Sequence, residues 1–291
     1  MDLVGRAQLA PIFREDLPEV GTFLHTHLNS RLSPAAWAWS IVPTWSAETP
    51  NHGYLLRDRG VIVGVQLAFY SRREIDGVEE DFCNLGAWCV LEPYRSQGVR
   101  MLFALLSQKQ YTFTDLSPSG NVVELNRRLR FEDIDTTSAM VPNVPVVRLR
   151  APRVITDPDC VRDLLDDAER RIFDDHRRAS ATIHLVLLRG EDRCYVVLRR
   201  DRRRGLPLFA SVLHTSDTAL LRRWLADLGS HLLLHHHVPF TLVELRHVGG
   251  TAPVGAVLRT SRPKMFKSGN RHPVPSRAID DLYSELTLVA W

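Results

Sequence analysis

The sequence predicts an α+β protein in which a mixed central sheet is flanked by helices. Short apolar runs of strand length alternate with segments whose apolar residues recur at helical spacing. A succession of hairpin, strand, helix and strand occurs twice along the chain, once in each half. Because 291 residues are enough for two domains of ordinary size, we expect two similar domains in tandem.

A strand and two helices are predicted to open the chain. The strand is placed at residues 6–13, and acidic residues then precede an apolar-periodic stretch at residues 17–28, as in the first turn of a helix. Ser33 as N-cap and Pro34 at the first position start a second helix. The residues that follow include three tryptophans, which are Trp37, Trp39 and Trp45. They are either core residues or a stacking surface for a ligand.

The next elements are a hairpin, a buried strand and a helix. Residues 54–57 and 61–70 flank a turn signal at residues 58–60, which predicts the hairpin. Residues 82–91 form an apolar run bounded by acids and a proline, which predicts the buried strand. Residues 101–106 predict a helix with one broad apolar face.

The connection between this strand and this helix has the character of an anion site. It consists of residues 95–100, Arg-Ser-Gln-Gly-Val-Arg. The amino end of a helix leaves N–H groups unpaired and carries partial positive charge. Gly98 lets an anion approach the backbone, and Arg95 and Arg100 add formal charge. A glycine-containing loop here therefore predicts a phosphate-binding site.

This stretch resembles the acetyl-CoA pyrophosphate loop of the GNAT family of N-acetyltransferases. The family motif is Gln/Arg-x-x-Gly-x-Gly/Ala. Arg95 and Gly98 match it, whereas Arg100 stands where Gly or Ala is expected. The resemblance implies the GNAT acyl-CoA N-acyltransferase fold and an acetyl-CoA donor.

A second stretch supports the resemblance. Residues 111–115 predict a strand and residues 121–129 a helix, with a further strand after Phe131. Residues 121–132 are similar to the family's second signature, with Arg130 at its glycine position. The order of strands and helices over the first 150 residues is the family's order.

The second half repeats the plan without the coenzyme loop. Residues 144–155 cross two prolines and predict a domain junction. We therefore expect an acetyl-CoA-binding GNAT domain at residues 1–148 and a degenerate GNAT-like domain at residues 149–291. Residues 214–217, His-Thr-Ser-Asp, replace the loop motif, so this half is not expected to hold coenzyme A in the usual way.

The elements of the second half follow from the same patterns. We predict one helix capped by Asp157, a hairpin, a strand, a long helix from Asp217 and a further strand. The basic, turn-rich residues 262–273 precede a final strand at residues 282–291. Residues 199–204, the densest charge run, are either a phosphate-contacting segment or a solvated turn.

The resemblance also implies which residues hold the coenzyme. The pyrophosphate would be anchored by Arg95 and by backbone N–H groups of the loop, and the thioester carbonyl would be polarised by a backbone N–H near the end of the strand. The predicted coenzyme-binding residues are Val90, Arg95, Gln97, Gly98, Val99 and Arg100.

Proton transfer is where the sequence departs from the family. Asn84 stands where the family often has a Glu base, and Asn126 where it often has a Tyr acid. Neither amide exchanges protons at neutral pH, although Asn84 could hold a water. The base stays open among five residues, which are Asp81, Glu80, His25, His27 and Asp115. The predicted catalytic residues are Asn84, Asp81 and Asn126, and proximity alone can supply much of the rate.

Charge and hydropathy limit the partners. The net charge is +3, with 15 Lys/Arg against 17 Asp/Glu in residues 1–150 and 22 against 17 in residues 151–291. The net charge is too small by itself to indicate a nucleic-acid binder, although the two halves differ, at −2 and +5, and no nucleic-acid partner is expected. No apolar stretch approaches the ~20 residues of a membrane span, and no signal peptide is expected. We predict a cytoplasmic protein and leave its oligomeric state open.

Metal ligation is not expected. The four cysteines are Cys83, Cys89, Cys160 and Cys194. They form neither a CxxC pair nor a Cys/His zinc spacing, and reduced thiols are the simple interpretation. His231 and His235 lie four residues apart, but no acid or cysteine is near in the sequence.

Three functions follow. The first is an acyl-CoA-dependent N-acyltransferase that uses acetyl-CoA and a small amine acceptor, aminosugar-like or amino-acid-like. The second is an aminoacyl-tRNA-dependent transferase of the peptidyl type, favoured by the basic second half. The third is a non-catalytic coenzyme-A-binding or scaffold protein, suggested by the two asparagines.

Overall fold

Two seven-stranded mixed sheets organise the chain. The computed structural model describes residues 5–203, 205–269 and 273–290. The first elements are β1 (Gln8–Pro11), α1 (Leu17–His27), α2 (Pro34–Ser40), β2 (Gly53–Asp58), β3 (Val61–Ile75), β4 (Val78–Val90), α3 (Arg95–Leu106), β5 (Thr112–Asp115), α4 (Asn121–Arg128), β6 (Glu132–Ile134) and β7 (Thr137–Pro142).

The second half supplies as many elements. They are β8 (Arg153–Ile155), α5 (Pro158–Leu164), α6 (Asp167–His176), β9 (Thr182–Arg189), β10 (Asp192–Arg203), β11 (Leu206–Thr215), α7 (Thr218–His236), β12 (Phe240–Glu244), β13 (Val257–Thr260), β14 (Lys264–Lys267) and α8 (Glu285–Leu288).

The two sheets have the same topology, and each contains one strand from the other half of the chain. The first has the order β1-β2-β3-β4-β5-β14-β6, and the second, from its opposite edge, β8-β9-β10-β11-β12-β7-β13. In each, the first four strands are antiparallel, the fourth and fifth are parallel, and the sixth comes from the other half of the chain. The domain boundary between residues 148 and 149 stays a prediction. β7, which precedes this boundary, belongs to the second sheet, and β14, which follows it, belongs to the first.

Helices cover both faces of each sheet. In the first sheet, α1 and α2 enclose Trp37 and Trp45, while α3 lies on the opposite face over a core that includes Leu102. In the second, α7 packs through Trp224 on one face, and α5 and α6 pack on the other. Trp37 and Trp45 are therefore core residues, whereas Trp39 is 75% exposed.

The predicted α+β class with mixed sheets and flanking helices is confirmed, and three local predictions are wrong. Residues 95–100 are not a loop, because α3 begins at Arg95. The helix after Asp157 is two helices, because Leu165 is extended and Asp166 caps the second. The final strand is instead the short helix α8, whose N-cap is Ser284. Trp291, the last residue of that predicted strand, lies outside the described residues.

Two further observations concern the predicted setting. None of the helices in the described part of the chain has both the length and the apolar composition needed to cross a membrane. The four cysteines are free thiols, of which Cys83 and Cys194 are buried.

Candidate functional site

β4 and β5 separate along their length, which opens the first sheet. They pair in parallel only where residues 82–84 face residues 112–114. β5 ends at Asp115, whereas β4 continues to Val90 with an irregular register against β3 between Leu85 and Trp88. Such a bulge bends a strand and leaves part of its ladder unpaired. The result is a gap between the two strands.

A cavity of about 660 Å³ lies between the two sheets at this gap. Its first wall consists of residues 86–88 of β4, residues 115–119 after β5, and Glu285 of α8. Its second wall belongs to β10, β11 and β12. We call it the inter-sheet cavity.

The second sheet opens onto the same cavity through an equivalent gap. β11 and β12 pair only where residues 209–211 face residues 240–242, and Val212 and Leu213 beyond them line the cavity. The helix that follows differs from α3, because the Asp217 carboxylate accepts hydrogen bonds from Ala219 N and Leu220 N. A carboxylate therefore occupies the amino end of α7, where an anion would otherwise bind.

Asp115 is a buried carboxyl group in the first wall. Burial raises its pKa to about 7. The hydrogen bond from Asn126 Nδ2 at 2.8 Å opposes this rise, and the nearby Glu285 charge adds to it. The Ser117 N–H also faces this carboxyl and opposes the rise in its pKa. A group that titrates near neutrality can accept or donate a proton under physiological conditions.

Glu285 is the second buried carboxyl group of this wall. Its N–H donates to Asn84 Oδ1 at 3.1 Å, and its Oε1 accepts from the Ser117 hydroxyl. Its Oε2 is buried and makes no well-formed hydrogen bond to the described residues. Burial raises the pKa of Glu285, while Ser117 and the positive charge of Arg199 oppose the rise. The sequence prediction missed Glu285 because it placed the residue in a strand, although a serine followed by an acid is a helix-start signal.

The three predicted catalytic residues do not meet. Asn84 and Asn126 are fully buried; Asn84 Oδ1 accepts from the main-chain N–H of Glu285, and Asn126 Nδ2 donates to the Asp115 carboxylate. Asp81 pairs with Arg72 at 2.7 Å and lines a different, smaller cleft. Of the open candidates for the base, Asp115 lines the inter-sheet cavity, whereas Glu80, His25 and His27 do not.

The six predicted coenzyme-binding residues lie together where β4 leads into α3. Among described residues no side chain caps this helix, and the Arg95 side chain is 72% exposed. Gly98 is buried, and a Cβ there would lie 3.0 Å from Val90 Cγ2 and 3.6 Å from Trp88 Nε1. Because Trp88 also lines the cavity, this junction adjoins the cavity wall. Val99 is half-buried within the same helical turn.

Two of the six side chains are already engaged. Gln97 Oε1 accepts from Ala7 N at 2.9 Å, and Arg100 Nη1 donates to Ala7 O at 2.7 Å. Gln97 Nε2 donates to Gly5 O at 3.0 Å. These bonds fix α3 to the start of the chain. The Gln97 and Arg100 side chains therefore serve the fold, and pyrophosphate binding by the amino end of α3, Gly98 and Arg95 stays a prediction.

Charged residues outside the predicted sites also reach the cavity. Residues 199–203 are part of β10 rather than a turn, and Arg204 lies outside the described residues. Arg199 is buried, donates to Leu286 O at 3.1 Å and pairs with Asp201 at 2.9 Å. The predicted solvated turn is therefore wrong for Arg199 and Asp201, which line the cavity.

Among the described residues, one group of side chains has its possible metal-ligand atoms within 4.8 Å of one another, and it consists of Glu244, His247 and Asp281. Lys264 Nζ lies 2.5 Å from a carboxylate oxygen of both acids, so an ammonium already holds the position that a cation would take. The His231 and His235 rings are 4.6 Å apart. Burial and two neighbouring histidines lower the pKa of His231 to about 4.

Solved structures share this fold. A GCN5-related N-acetyltransferase from Anabaena variabilis aligns over 90% of this chain and 72% of its own, with a TM-score of 0.59 and 10% identity. A Pyrococcus horikoshii protein aligns over 99% of this chain and 95% of its own, with a TM-score of 0.58 and 13% identity. The glucosamine N-acetyltransferase region of a fungal multi-domain β-N-acetylglucosaminidase aligns over 91% of this chain and 38% of its own, with a TM-score of 0.58 and 11% identity.

The chain has the fold of the GCN5-related N-acetyltransferases, and its two sheets fit a tandem arrangement of that fold. The resemblance inferred from the two sequence motifs is confirmed at this level. No family model matches the sequence, and no curated protein matches it. At 10–13% identity, the likeness to the solved structures concerns the fold alone.

Proposed function

We propose that this chain is an acyl-CoA-dependent N-acyltransferase that transfers an acetyl group from acetyl-CoA to a small amine. One observation carries the proposal. The gap between β4 and β5 adjoins the amino end of α3 at Trp88 and opens on two buried carboxyl groups, Asp115 and Glu285. An anion-binding helix end beside a proton acceptor is the combination that such a transfer requires.

The chain's own residues have separable tasks in this proposal. Arg95 and the first N–H groups of α3 hold the pyrophosphate, and acetyl-CoA supplies the thioester. The bulge of β4 leaves backbone N–H groups near residues 86–90 for the developing oxyanion.

The cavity supports a polar acceptor, either aminosugar-like or amino-acid-like. Five cationic side chains line it, which are Arg199, Arg202, Arg259, Arg262 and Lys264. Five acidic side chains also line it, which are Asp115, Asp201, Glu244, Asp281 and Glu285. The cytoplasmic location and the absence of a nucleic-acid partner stay predictions.

The test is thermal unfolding with and without acetyl-CoA. A ligand that binds only the folded state, present at about 100 times its dissociation constant, adds about 2.7 kcal/mol to the free energy of unfolding. Arg95→Glu should weaken acetyl-CoA binding roughly tenfold, because it removes a charge-assisted contact at an exposed position. Arg178→Glu is the matched control, since Arg178 is exposed and belongs to neither wall of the cavity.

Each result has a distinct meaning. A stabilisation that Arg95→Glu reduces and Arg178→Glu keeps supports the proposal. No stabilisation of the unmodified chain contradicts it, and binding of charged tRNA in a filter assay would then favour the aminoacyl-tRNA-dependent alternative. Stabilisation without turnover of any amine would favour the coenzyme-binding scaffold.

A further inference from the structure

Glu285 is held in place by its main chain and by one carboxylate oxygen, which leaves the other oxygen available. Asn84 Oδ1 accepts from its N–H, and Ser117 donates to Oε1. Oε2 is buried and has no well-formed hydrogen bond to any described residue. A buried carboxylate oxygen without a partner costs free energy unless a ligand completes it.

The missing side chain of Gly86 in β4 leaves room for this carboxylate. Gly86 lies in the bulge, and a Cβ at that position would lie 3.1 Å from Glu285 Oε2 and 2.6 Å from Phe69 Cε2. The Ala87 N–H also faces the carboxyl and opposes the effect of burial on its pKa. Oε2 therefore lies against the bulged part of β4 whose N–H groups the proposed function assigns to the thioester.

We propose that Glu285 is the group that binds the acceptor's ammonium and takes its proton. This inference rests on the proposed acyltransferase function. Asp115, the other buried carboxyl group of the first wall, is less suited, because it already accepts a hydrogen bond from Asn126 Nδ2 at 2.8 Å, whereas Glu285 Oε2 has no such partner among the described residues. Asn84, one of the predicted catalytic residues, is in this proposal a positioning residue for Glu285, because its Oδ1 accepts from the Glu285 N–H.

The proton and electron balance closes with these groups. Glu285 accepts one proton from the ammonium and leaves a neutral amine, whose lone pair attacks the thioester carbonyl carbon. A C–N bond forms and the C–S bond breaks, so the thiolate leaves with the bonding pair. The nitrogen loses its second proton, the thiolate gains one, and the proton on Glu285 passes to solvent.

Several charged groups face Glu285 and set its titration. They are Asp115 at the end of β5, Arg199 on β10 and Arg262 between β13 and β14. Asp115 favours the protonated form of Glu285, whereas the two arginines favour the carboxylate. An incoming ammonium adds positive charge and so displaces the proton from Glu285.

The test compares Glu285→Gln, Glu285→Asp and Ser117→Ala with the unmodified protein. A panel of glucosamine, spermidine and L-amino acids is screened with acetyl-CoA by release of free thiol. Glu285→Gln should lower kcat about 100-fold or more, with the KM for acetyl-CoA unchanged, and should remove the rising limb of the pH profile. Glu285→Asp should restore part of kcat, and Ser117→Ala should shift the rising limb to higher pH. Glu169→Gln, which alters a buried carboxylate outside the cavity, controls for lost stability.

A second measurement does not depend on turnover. Calorimetric titration of the active amine into the protein without acetyl-CoA, in two buffers of different ionisation enthalpy, should show proton release that Glu285→Gln abolishes. Unchanged proton release, or a kcat within threefold of the unmodified protein, would overturn the assignment. So would an unmodified protein that acetyl-CoA stabilises but that acetylates no amine. Failure of acetyl-CoA to stabilise the unmodified chain would instead reject the proposed function itself.

Discussion

His176 is a buried histidine whose environment excludes its charged form. It is fully buried, and neither ring nitrogen has a hydrogen-bond partner among the described residues. Its ring lies 4.7 Å from that of Tyr283 and 5.4 Å from that of Trp45. Burial lowers its pKa to about 3, which the nearby Asp280 only partly opposes. Burial also lowers the pKa of His184 to about 4.

These histidines should make the protein sensitive to acid. The folded-state pKa lies below the unfolded value of about 6.5, so the unfolded chain binds more protons between the two values. The stabilisation is complete above about pH 6.5 and is lost as the pH falls toward 3. For His176 alone the loss should be about 2 kcal/mol between pH 8 and pH 5. Urea unfolding at both pH values, with His176→Phe, measures it.

His176→Phe should remain folded and lose less stability between pH 8 and pH 5 than the unmodified protein. Phenylalanine keeps an aromatic ring between Trp45 and Tyr283 but cannot be protonated. His235→Phe is the control, since His235 is exposed on α7. An equal acid loss in His176→Phe and in the unmodified chain would show that other groups determine the pH dependence.

At the scale of single residues, the sequence predicted types of chemistry better than positions. Asp115 was among five candidate bases, and only the packing of β4 against β5 singles it out. Asn84 and Asn126 were recognised as unable to transfer protons; in the structure Asn126 donates to the Asp115 carboxylate, and Asn84 accepts from the main-chain N–H of Glu285. Glu285 joins this site from 201 residues further along the chain than Asn84, and periodicity carries no information about such a contact.

β14 is the element that joins the two halves most directly. It lies between β5 and β6 of the first sheet, and its Lys264 Nζ reaches Glu244 at the end of β12 in the second sheet at 2.5 Å. Lys264 also reaches Asp281 at 2.5 Å, and Arg246 contacts both acids. Although burial alone would raise the pKa of Asp281, the charges of Lys264 and Arg246 hold it below its ordinary value.

Removing the Lys264 charge should therefore lower the free energy of unfolding. Lys264→Met leaves two buried carboxylates with one cation between them, and breaking such a pair typically costs about 3–5 kcal/mol. We expect about 3 kcal/mol, since Arg246 remains, measured by urea unfolding at pH 7. Lys109→Met on an exposed turn should change stability by less than about 0.5 kcal/mol. Equal values for the two variants would mean that solvent replaces the lost ammonium.

Elements formed by long periodic runs were predicted, whereas two of the four-residue elements, β14 and α8, were not. The hairpin of β9 and β10 and the helix α7 match their predicted places because alternation and helical spacing extend over many residues. β14 and α8 have four residues each, too few for any period to be distinguished. The loop at residues 95–100 was expected because of Gly98, yet bonds from Gln97 and Arg100 to Ala7 stabilise a helical turn there.

For the whole molecule, the exchange of β7 and β14 has a consequence for folding. β5 and β6 contact β14 rather than each other, and Met265 of β14 is fully buried. The end of the chain also contributes, since Leu288 of α8 belongs to the core under α1 and α2, while Leu282, which precedes α8, belongs to the core under α5 and α6. Any continuous piece that contains β1 to β6 without the end of the chain therefore lacks part of its sheet and of its core.

The two halves should consequently unfold together. Calorimetry of the full chain at pH 7.5 should give a single transition, with a calorimetric enthalpy equal to the van't Hoff enthalpy. Residues 1–148 expressed alone should lack a cooperative transition, because the position between β5 and β6 is vacant and leaves strand edges and apolar surface exposed. Co-expression with residues 149–291 should restore cooperative unfolding. Two separate transitions in the full chain, or a cooperatively folded 1–148 fragment, would show instead that the boundary predicted from the two prolines separates independent domains, and that the strand exchange joins units already stable without it.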